Sequence, residues 1–193
     1  MTLDFGAARL NMVENQVRTN DVTDLHIQDA MRVVAREELC PPQKRYLAYA
    51  EAPVEYAPGW FMMEPRDVSK LLQFIGPLPT ERALAIAAPY AAAVLRRIGL
   101  TVSELKAGDD LKAAITDGPY DVIICEGAVD ATPKTWTEAL GIGGRLGVVV
   151  RRGPVGKARL YTCGEDGLVA GREVFDATPP MLPGFAPAPS FAF

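Results

Sequence analysis

The chain has 193 residues, of which 49% are apolar and 23% are charged, and its formal net charge is −4. This composition excludes an intrinsically disordered chain, because such chains combine low hydrophobicity with high net charge. The negative charge argues against a nucleic-acid binder, which needs Lys and Arg to neutralise phosphates. The length suits one domain with a sizeable core and an appended arm, rather than two full domains.

The Cys and His residues argue against metal and disulfide chemistry. The three cysteines, Cys40, Cys125 and Cys163, are widely spaced, and no C-x-x-C pair occurs. This pattern predicts reduced thiols and no metal site. The single histidine, His26, stands at the start of a predicted helix, where a surface or capping role is the simpler interpretation than a place in a catalytic triad.

No apolar run is long enough for a transmembrane helix, and the first residues lack the basic and apolar regions of a secretory signal. The sequence therefore predicts a cytoplasmic protein without a membrane partner.

The first 80 residues are predicted to form a helical N-terminal region. Apolar residues recur at helical spacing over residues 5–17, and Thr23 or Asp24 is placed to cap a second helix that ends at Pro41-Pro42. Residues 43–60 hold four aromatic residues among prolines and a glycine, which favours an irregular packed connector. A further helix is predicted before Gly76.

Residues 81–175 alternate short apolar runs with helical patterns, which indicates βαβ units and a mostly parallel sheet covered on both faces. Residues 145–150 and 158–163 are predicted to pair as an antiparallel hairpin. The predicted strands are 82–86, 100–103, 120–125, 145–150 and 158–163, and the predicted helices are 90–98, 109–115 and 134–140.

Residues 176–193 carry five prolines and three phenylalanines, which excludes a helix. Soluble monomers avoid exposing such an apolar segment, so we expect an extended arm that docks on this domain or on a second copy. Self-association through this arm or through the first 80 residues, giving a homodimer, is the expectation that follows.

Several segments, taken in order, resemble protein-L-isoaspartate O-methyltransferases. They are residues 12–18, 29–37, 46–51, the helix after Pro65, 119–124 and 143–146. The resemblance implies a Rossmann-like methyltransferase fold with a C-terminal antiparallel hairpin. It further implies S-adenosylmethionine as cofactor and methyl transfer to isoaspartyl carboxylates of a protein or peptide substrate.

The cofactor loop departs from the family pattern, which places an acidic residue and a run of the form Glu-x-Gly-x-Gly-x-Gly-Tyr after the first sheet strand. Here that place holds residues 85–90, Ala-Ile-Ala-Ala-Pro-Tyr, without a glycine. An alanine where positive φ is needed costs roughly 1 kcal/mol. The resemblance thus implies a degenerate cofactor site at Ala87, Ala88 and Tyr90.

Four acidic or thioether side chains complete the candidate site, and no catalytic residue is assigned. Glu104 follows the second strand, where a carboxylate can accept the hydroxyls of a ribose. Met63 takes the place of a family serine before Glu64-Pro65, and Glu126 follows the clearest predicted strand. By the resemblance, Met63, Glu64 and Glu126 lie at the substrate side.

The residue count between Glu104 and Tyr120 predicts that one family strand is deleted. These departures predict a methyltransferase-like protein with impaired or lost cofactor binding. The alternative is a non-catalytic binding or assembly protein that retains the fold.

Overall fold

The computed structural model describes residues 4–186, and the first part of this range is helical. A π-helical segment, Val13–Val17, and a 3-10 turn, Arg18–Asn20, follow the first helix. Asp24 caps the second helix, as predicted, because its carboxylate accepts from the backbone N–H of His26 at 2.8 Å. The two helices are α1 (Phe5–Met12) and α2 (Leu25–Val33).

The second helix ends well before the predicted prolines. Val34 takes an extended conformation and a 3-10 helix, Arg36–Leu39, follows. The cause is tertiary: the Arg36 side chain turns into the core, where it donates to the carbonyls of Ala48 and Met63.

The connector is more regular than predicted. A 3-10 helix, Pro42–Leu47, precedes an antiparallel hairpin of β1 (Val54–Ala57) and β2 (Trp60–Met62). Gly59 stands in the turn with φ +79°, a conformation that favours glycine. Helix α3 (Pro65–Ile75) then ends at Gly76, as predicted, also in the left-handed conformation.

A six-stranded sheet forms the centre of the described chain, in the order β4-β3-β5-β6-β7-β8. It is parallel from β4 to β6, and β7 and β8 continue it antiparallel. Buried apolar side chains pack on both faces. The elements are β3 (Arg82–Ile86), α4 (Pro89–Ile98), β4 (Thr101–Leu105), β5 (Tyr120–Val129), α5 (Lys134–Glu138), β6 (Leu140–Val150), β7 (Gly156–Cys163) and β8 (Val169–Ala177).

The predicted hairpin is confirmed as β6 with β7. The predicted helix over residues 109–115 is wrong, because these residues form turns. Asp109 and Asp110 accept from the backbone N–H of Lys106 and Lys112, and such side-chain bonds compete with helix formation. No strand occurs within residues 106–119, as the residue count predicts, and β4 is an edge strand. The deletion of a family strand stays a prediction.

The C-terminal residues were predicted as an arm from residue 176, but strand β8 runs to Ala177. Residues 178–186 then pack against the same domain, beside β5. Residues 187–193 of the predicted arm lie outside the described residues. Among residues 4–186, none of the helices has the length and apolar character needed to cross a membrane.

Candidate functional site

Strands β3 and β4 end together at one edge of the sheet, and β5 continues past them to Val129. Ile86 of β3 pairs with Leu105 of β4 and with Cys125 of β5. In open α/β sheets, ligands bind outside the carboxyl ends of the strands. The side chains at the ends of β3 and β4, and those of β5 beyond Cys125, therefore define the candidate site.

A bulge in β5 turns Glu126 into the core. Ile124 pairs with Gly147 of β6 and Ala128 with Val149, so β5 has two more residues than β6 between these pairs. The Glu126 side chain is fully buried. Its two carboxylate oxygens accept from the backbone N–H of Met63 at 3.0 Å and of Ala91 at 2.7 Å. Glu126 thus ties the loop before α3 to the first turn of α4.

Burial raises the pKa of the Glu126 carboxyl. The charge of Arg36 and the backbone N–H donors oppose part of this rise, because they favour the ionised form. Glu126 is therefore a structural carboxylate held by two backbone donors, with no exposed surface.

The turn between β3 and α4 is short and buried. Ala87 is buried in the left-handed conformation, with φ +47°, and its N–H donates to Leu105 at 2.7 Å. Ala88 precedes the helix without a capping side chain, and Pro89 has no N–H to donate. Glu126 already occupies the N–H of Ala91. The start of α4 therefore has little donor capacity left for a ligand.

Tyr90 lies in the core, beneath the buried Arg36. The Arg36 guanidinium is 4.6 Å from the centre of the Tyr90 ring, and it donates to Ala48 at 2.8 Å and to Met63 at 2.5 Å. The Tyr90 hydroxyl finds no partner within residues 4–186, and burial raises its pKa. Tyr90 therefore packs as a core residue against the N-terminal region.

Glu104 lies at the end of β4, beside a pocket of about 320 Å³. Its carboxylate is paired with Arg96 of α4 at 2.5 Å. Tyr56 of the hairpin also lines the pocket, and burial with the nearby Glu126 raises the pKa of its hydroxyl. The pocket is lined by Tyr56, Ala88, Pro89, Glu104, Leu105, Lys106 and Ala107.

The structure brings most of the predicted site residues together, but it separates Glu64. Met63 and Ala91 meet at Glu126, and Ala88 lines the same pocket as Glu104. Glu64 instead stands at the start of α3, paired with Arg66 at 2.6 Å, in another cavity shared with Asp67. Burial raises the pKa of both of these carboxyls. Within residues 4–186, no group of His, Cys, Asp and Glu side chains is arranged to hold a metal ion.

The C-terminal segment covers the remaining space beyond β3. Ala128 of β5 pairs with β6 on one side and with Met181 on the other, which is the side where β3 pairs earlier in the strand. Ala128 donates to Pro180 at 2.9 Å and accepts from Leu182 at 2.8 Å. The segment therefore adds a single parallel β-bridge directly outside the carboxyl end of β3.

Sequence reasoning missed the contributions of Arg36 and Tyr56. The hairpin that carries Tyr56 had a signal in Pro58-Gly59, a turn pair between two short runs rich in aromatic and apolar residues. Arg36 had no local signal, because its partners Ala48 and Met63 are more than ten residues away in the chain. Docking of the C-terminal segment on its own domain was one of the two expected arrangements, and Leu182 is buried in this way.

A family model for protein-L-isoaspartate(D-aspartate) O-methyltransferases matches residues 90–174. The chain is similar to the protein-L-isoaspartate O-methyltransferase of Methylorubrum populi, with 30% identity over 175 residues that cover 78% of this chain and 82% of that protein. It is also similar to the protein of the same name from Aeropyrum pernix, with 28% identity over 74% of this chain and 66% of that one.

Solved structures have the same fold. One is a putative protein-L-isoaspartate O-methyltransferase from Plasmodium falciparum in complex with S-adenosyl-L-homocysteine, with a TM-score of 0.76 and 15% identity over 90% of this chain and 97% of that chain. A second protein-L-isoaspartate O-methyltransferase has a TM-score of 0.71 and 20% identity, covering 92% of this chain and 67% of that chain. The central architecture is therefore a Rossmann-like methyltransferase fold.

Proposed function

The chain belongs to the protein-L-isoaspartate O-methyltransferase family, and from this premise we propose that it is a member whose S-adenosylmethionine binding is impaired or lost. Retaining the family fold, it acts as a binding or assembly protein. The observation that carries the proposal is Glu126. This buried carboxylate accepts the Ala91 N–H at the start of α4, close to the sheet edge where a cofactor of this fold class would approach.

The neighbouring residues do not fit the cofactor either. Ala87 carries a methyl group in the left-handed conformation, at the turn where the family has glycine. Glu104, the candidate for the ribose hydroxyls, is already paired with Arg96.

In this family, the loss of cofactor binding would abolish methyl transfer. An isoaspartyl carboxylate is already a nucleophile and a sulfonium methyl is already activated, so catalysis depends mainly on holding them in line and excluding water. A chain that does not hold the cofactor cannot supply that alignment. On this proposal, none of its residues performs a catalytic step.

The same proposal places the protein in the cytoplasm. Its three cysteines are all buried and free, and a reducing compartment keeps thiols in that state. The net charge of −4 supports protein or peptide partners rather than nucleic acid.

Calorimetric titration of the full chain with S-adenosyl-L-homocysteine tests the proposal. We expect no measurable binding, and no methylation of an isoaspartyl peptide in the presence of S-adenosylmethionine. The Methylorubrum populi relative serves as the control under the same conditions. A dissociation constant in the low micromolar range would contradict the proposal.

A further inference from the structure

The C-terminal residues contact the end of β5 in the way that a bound peptide would. We propose that this surface is a binding site for an extended apolar peptide, and that the chain's own residues 180–185 are its tethered ligand. We call the surface the β5 groove, and it consists of Gly127, Ala128, Asp130, Lys112 and Trp136. The proposal rests on the binding role inferred above, for which it names the class of ligand.

Main-chain hydrogen bonds hold the segment along the groove. Besides the two bonds at Ala128, the N–H of Asp130 donates to Phe185 at 3.1 Å. The segment closes a turn of its own, in which the Phe185 N–H donates to Leu182 at 3.0 Å and Gly184 has φ +79°. Addition of a strand to a free sheet edge is a common mode of peptide recognition, in which the backbone bonds provide affinity.

Leu182 supplies the first side-chain anchor. It is buried against Gly127, where a Cβ atom would lie 2.6 Å from Leu182 Cδ2. Real Cβ atoms essentially never come that close, so the absence of a side chain at residue 127 makes the room that Leu182 fills. The groove is therefore shaped for a branched apolar side chain at this point.

Phe185 supplies the second anchor. Its ring is buried, with its centre 5.6 Å from that of Trp136, whose indole is fixed by donating to Leu111 at 2.7 Å. The Lys112 ammonium lies 4.6 Å from the centre of the Phe185 ring and donates to Gly184 at 2.6 Å. Packing of the Phe185 ring between the Trp136 indole and the Lys112 ammonium selects for an aromatic side chain at this position.

The recognised pattern is thus an apolar residue followed three positions later by an aromatic residue, here Leu182-Pro183-Gly184-Phe185. A tethered ligand has an effective concentration in the millimolar range, so it outcompetes a free peptide. A partner peptide with this pattern therefore gains access only when the tethered segment is weakened or displaced.

The test measures the binding of a fluorescent peptide, residues 178–186, to the full chain by anisotropy. The double variant Leu182→Ala/Phe185→Ala removes both anchors of the tethered segment and leaves the groove intact. We expect this variant to bind the peptide at least about tenfold more tightly than the wild type. A peptide with the same two alanines is expected not to bind.

The Leu168→Ala variant is the matched control, because Leu168 is 71% exposed in the turn between β7 and β8. Equal affinity of the wild type and the double variant, or equal binding of the alanine peptide, would overturn the proposal.

A second variant keeps the test decisive if the double variant does not fold. Lys112→Ala removes an exposed side chain whose ammonium, within residues 4–186, contacts the Gly184 carbonyl and the Phe185 ring of the segment. The free energy of a cation–π contact at an exposed site corresponds to a change of roughly two- to fivefold in the equilibrium constant for docking of the segment. The Leu182 amide should therefore exchange with deuterium more slowly in the wild type than in Lys112→Ala, by about the same factor. Identical exchange would contradict the role of Lys112 in holding the ligand.

Binding of S-adenosyl-L-homocysteine to the chain would contradict only the proposed loss of cofactor binding. It would leave the result of the peptide experiment unaffected.

Discussion

At the scale of single residues, Glu126 is central to the candidate site. One carboxylate satisfies backbone donors from two segments that are distant in sequence, Met63 and Ala91. Buried backbone N–H groups need such partners, because an unpaired one costs roughly 1–3 kcal/mol. The sequence suggested Glu126 as part of a substrate site, but in this chain it stabilises the structure by pairing two backbone donors.

We predict that Glu126→Ala lowers the free energy of unfolding by about 2–5 kcal/mol, because it leaves both donors unpaired and opens a cavity. Urea denaturation followed by circular dichroism measures this change. Glu138→Ala, at an exposed position of α5, is the control and should change the stability little. A loss no larger than the control's would show that the two backbone donors find other partners.

The raised pKa of Glu126 predicts a specific pH dependence. The folded chain binds this proton more tightly than the unfolded chain, whose glutamate pKa is about 4.3. The contribution of Glu126 is therefore most favourable below that value and declines as pH rises through the folded-state pKa.

Glu126→Gln cannot titrate, so the stability of the wild type relative to this variant should fall as the pH rises above about 4.3, the glutamate pKa of the unfolded chain. Denaturation of both proteins across this range provides the measurement. The raised pKa values of Glu64 and Asp67 are common to both proteins and cancel in the difference. A difference that stays constant or moves in favour of the wild type would be inconsistent with a raised pKa.

At the scale of elements, the sheet and the helical region are joined by a few polar contacts at helix ends. Arg145 of β6 donates to the carbonyls of Ile75 and Gly76 at the end of α3, at 3.1 and 2.7 Å. It also pairs with Glu81 at 2.7 Å. Helix C-termini leave carbonyls without intrahelical partners, and a cation there is favourable. Arg145 therefore holds the C-terminal end of α3 against β6, next to the residue that precedes β3.

Arg145→Ala is predicted to destabilise the chain by about 2–3 kcal/mol, since charged hydrogen bonds to partly buried groups are lost. Arg97→Ala, an exposed arginine of α4, is the matched control and should have an effect within about 0.5 kcal/mol. Thermal unfolding of the two variants compares these effects. Equal melting temperatures would mean that α3 is held by its apolar face alone.

At the scale of the whole molecule, residues 178–186 are a poor candidate for a surface of self-association. Leu182 and Phe185 are buried within the same chain, so they are not exposed for a second copy to cover. Exposed apolar side chains remain in the helical N-terminal region, among them Leu10 at 51% and Val33 at 49% exposure. The homodimer stays a prediction, and this surface is the better candidate for its interface.

Light scattering at micromolar concentrations measures the oligomeric state. We expect the wild type to form a dimer and Leu10→Glu/Val33→Glu to be monomeric, because two carboxylates on an apolar interface are costly to bury. Leu168→Glu, on the distant turn before β8, should leave the dimer intact. A wild type that is monomeric at these concentrations would refute self-association.

The sequence by itself determined the local elements whose signals lie within a few residues. The Asp24 cap, the end of α3 at Gly76, the parallel βαβ order and the β6–β7 hairpin all follow from nearby residues. The family resemblance rested on the order of several short segments and was confirmed by relatives of similar length. The absence of a strand between β4 and β5 followed from a count of the residues between them.

Only the tertiary structure decided what each site residue does. Tyr90 and Glu126 are polar and come after the predicted strands 82–86 and 120–125, so the sequence predicts that they lie where ligands bind. The buried Arg36 and the bulge in β5 turn them inward instead, and the C-terminal segment fills the space beyond β3. These outcomes depend on contacts between residues tens of positions apart, and the free energy of burying a polar group depends on which distant partners it meets.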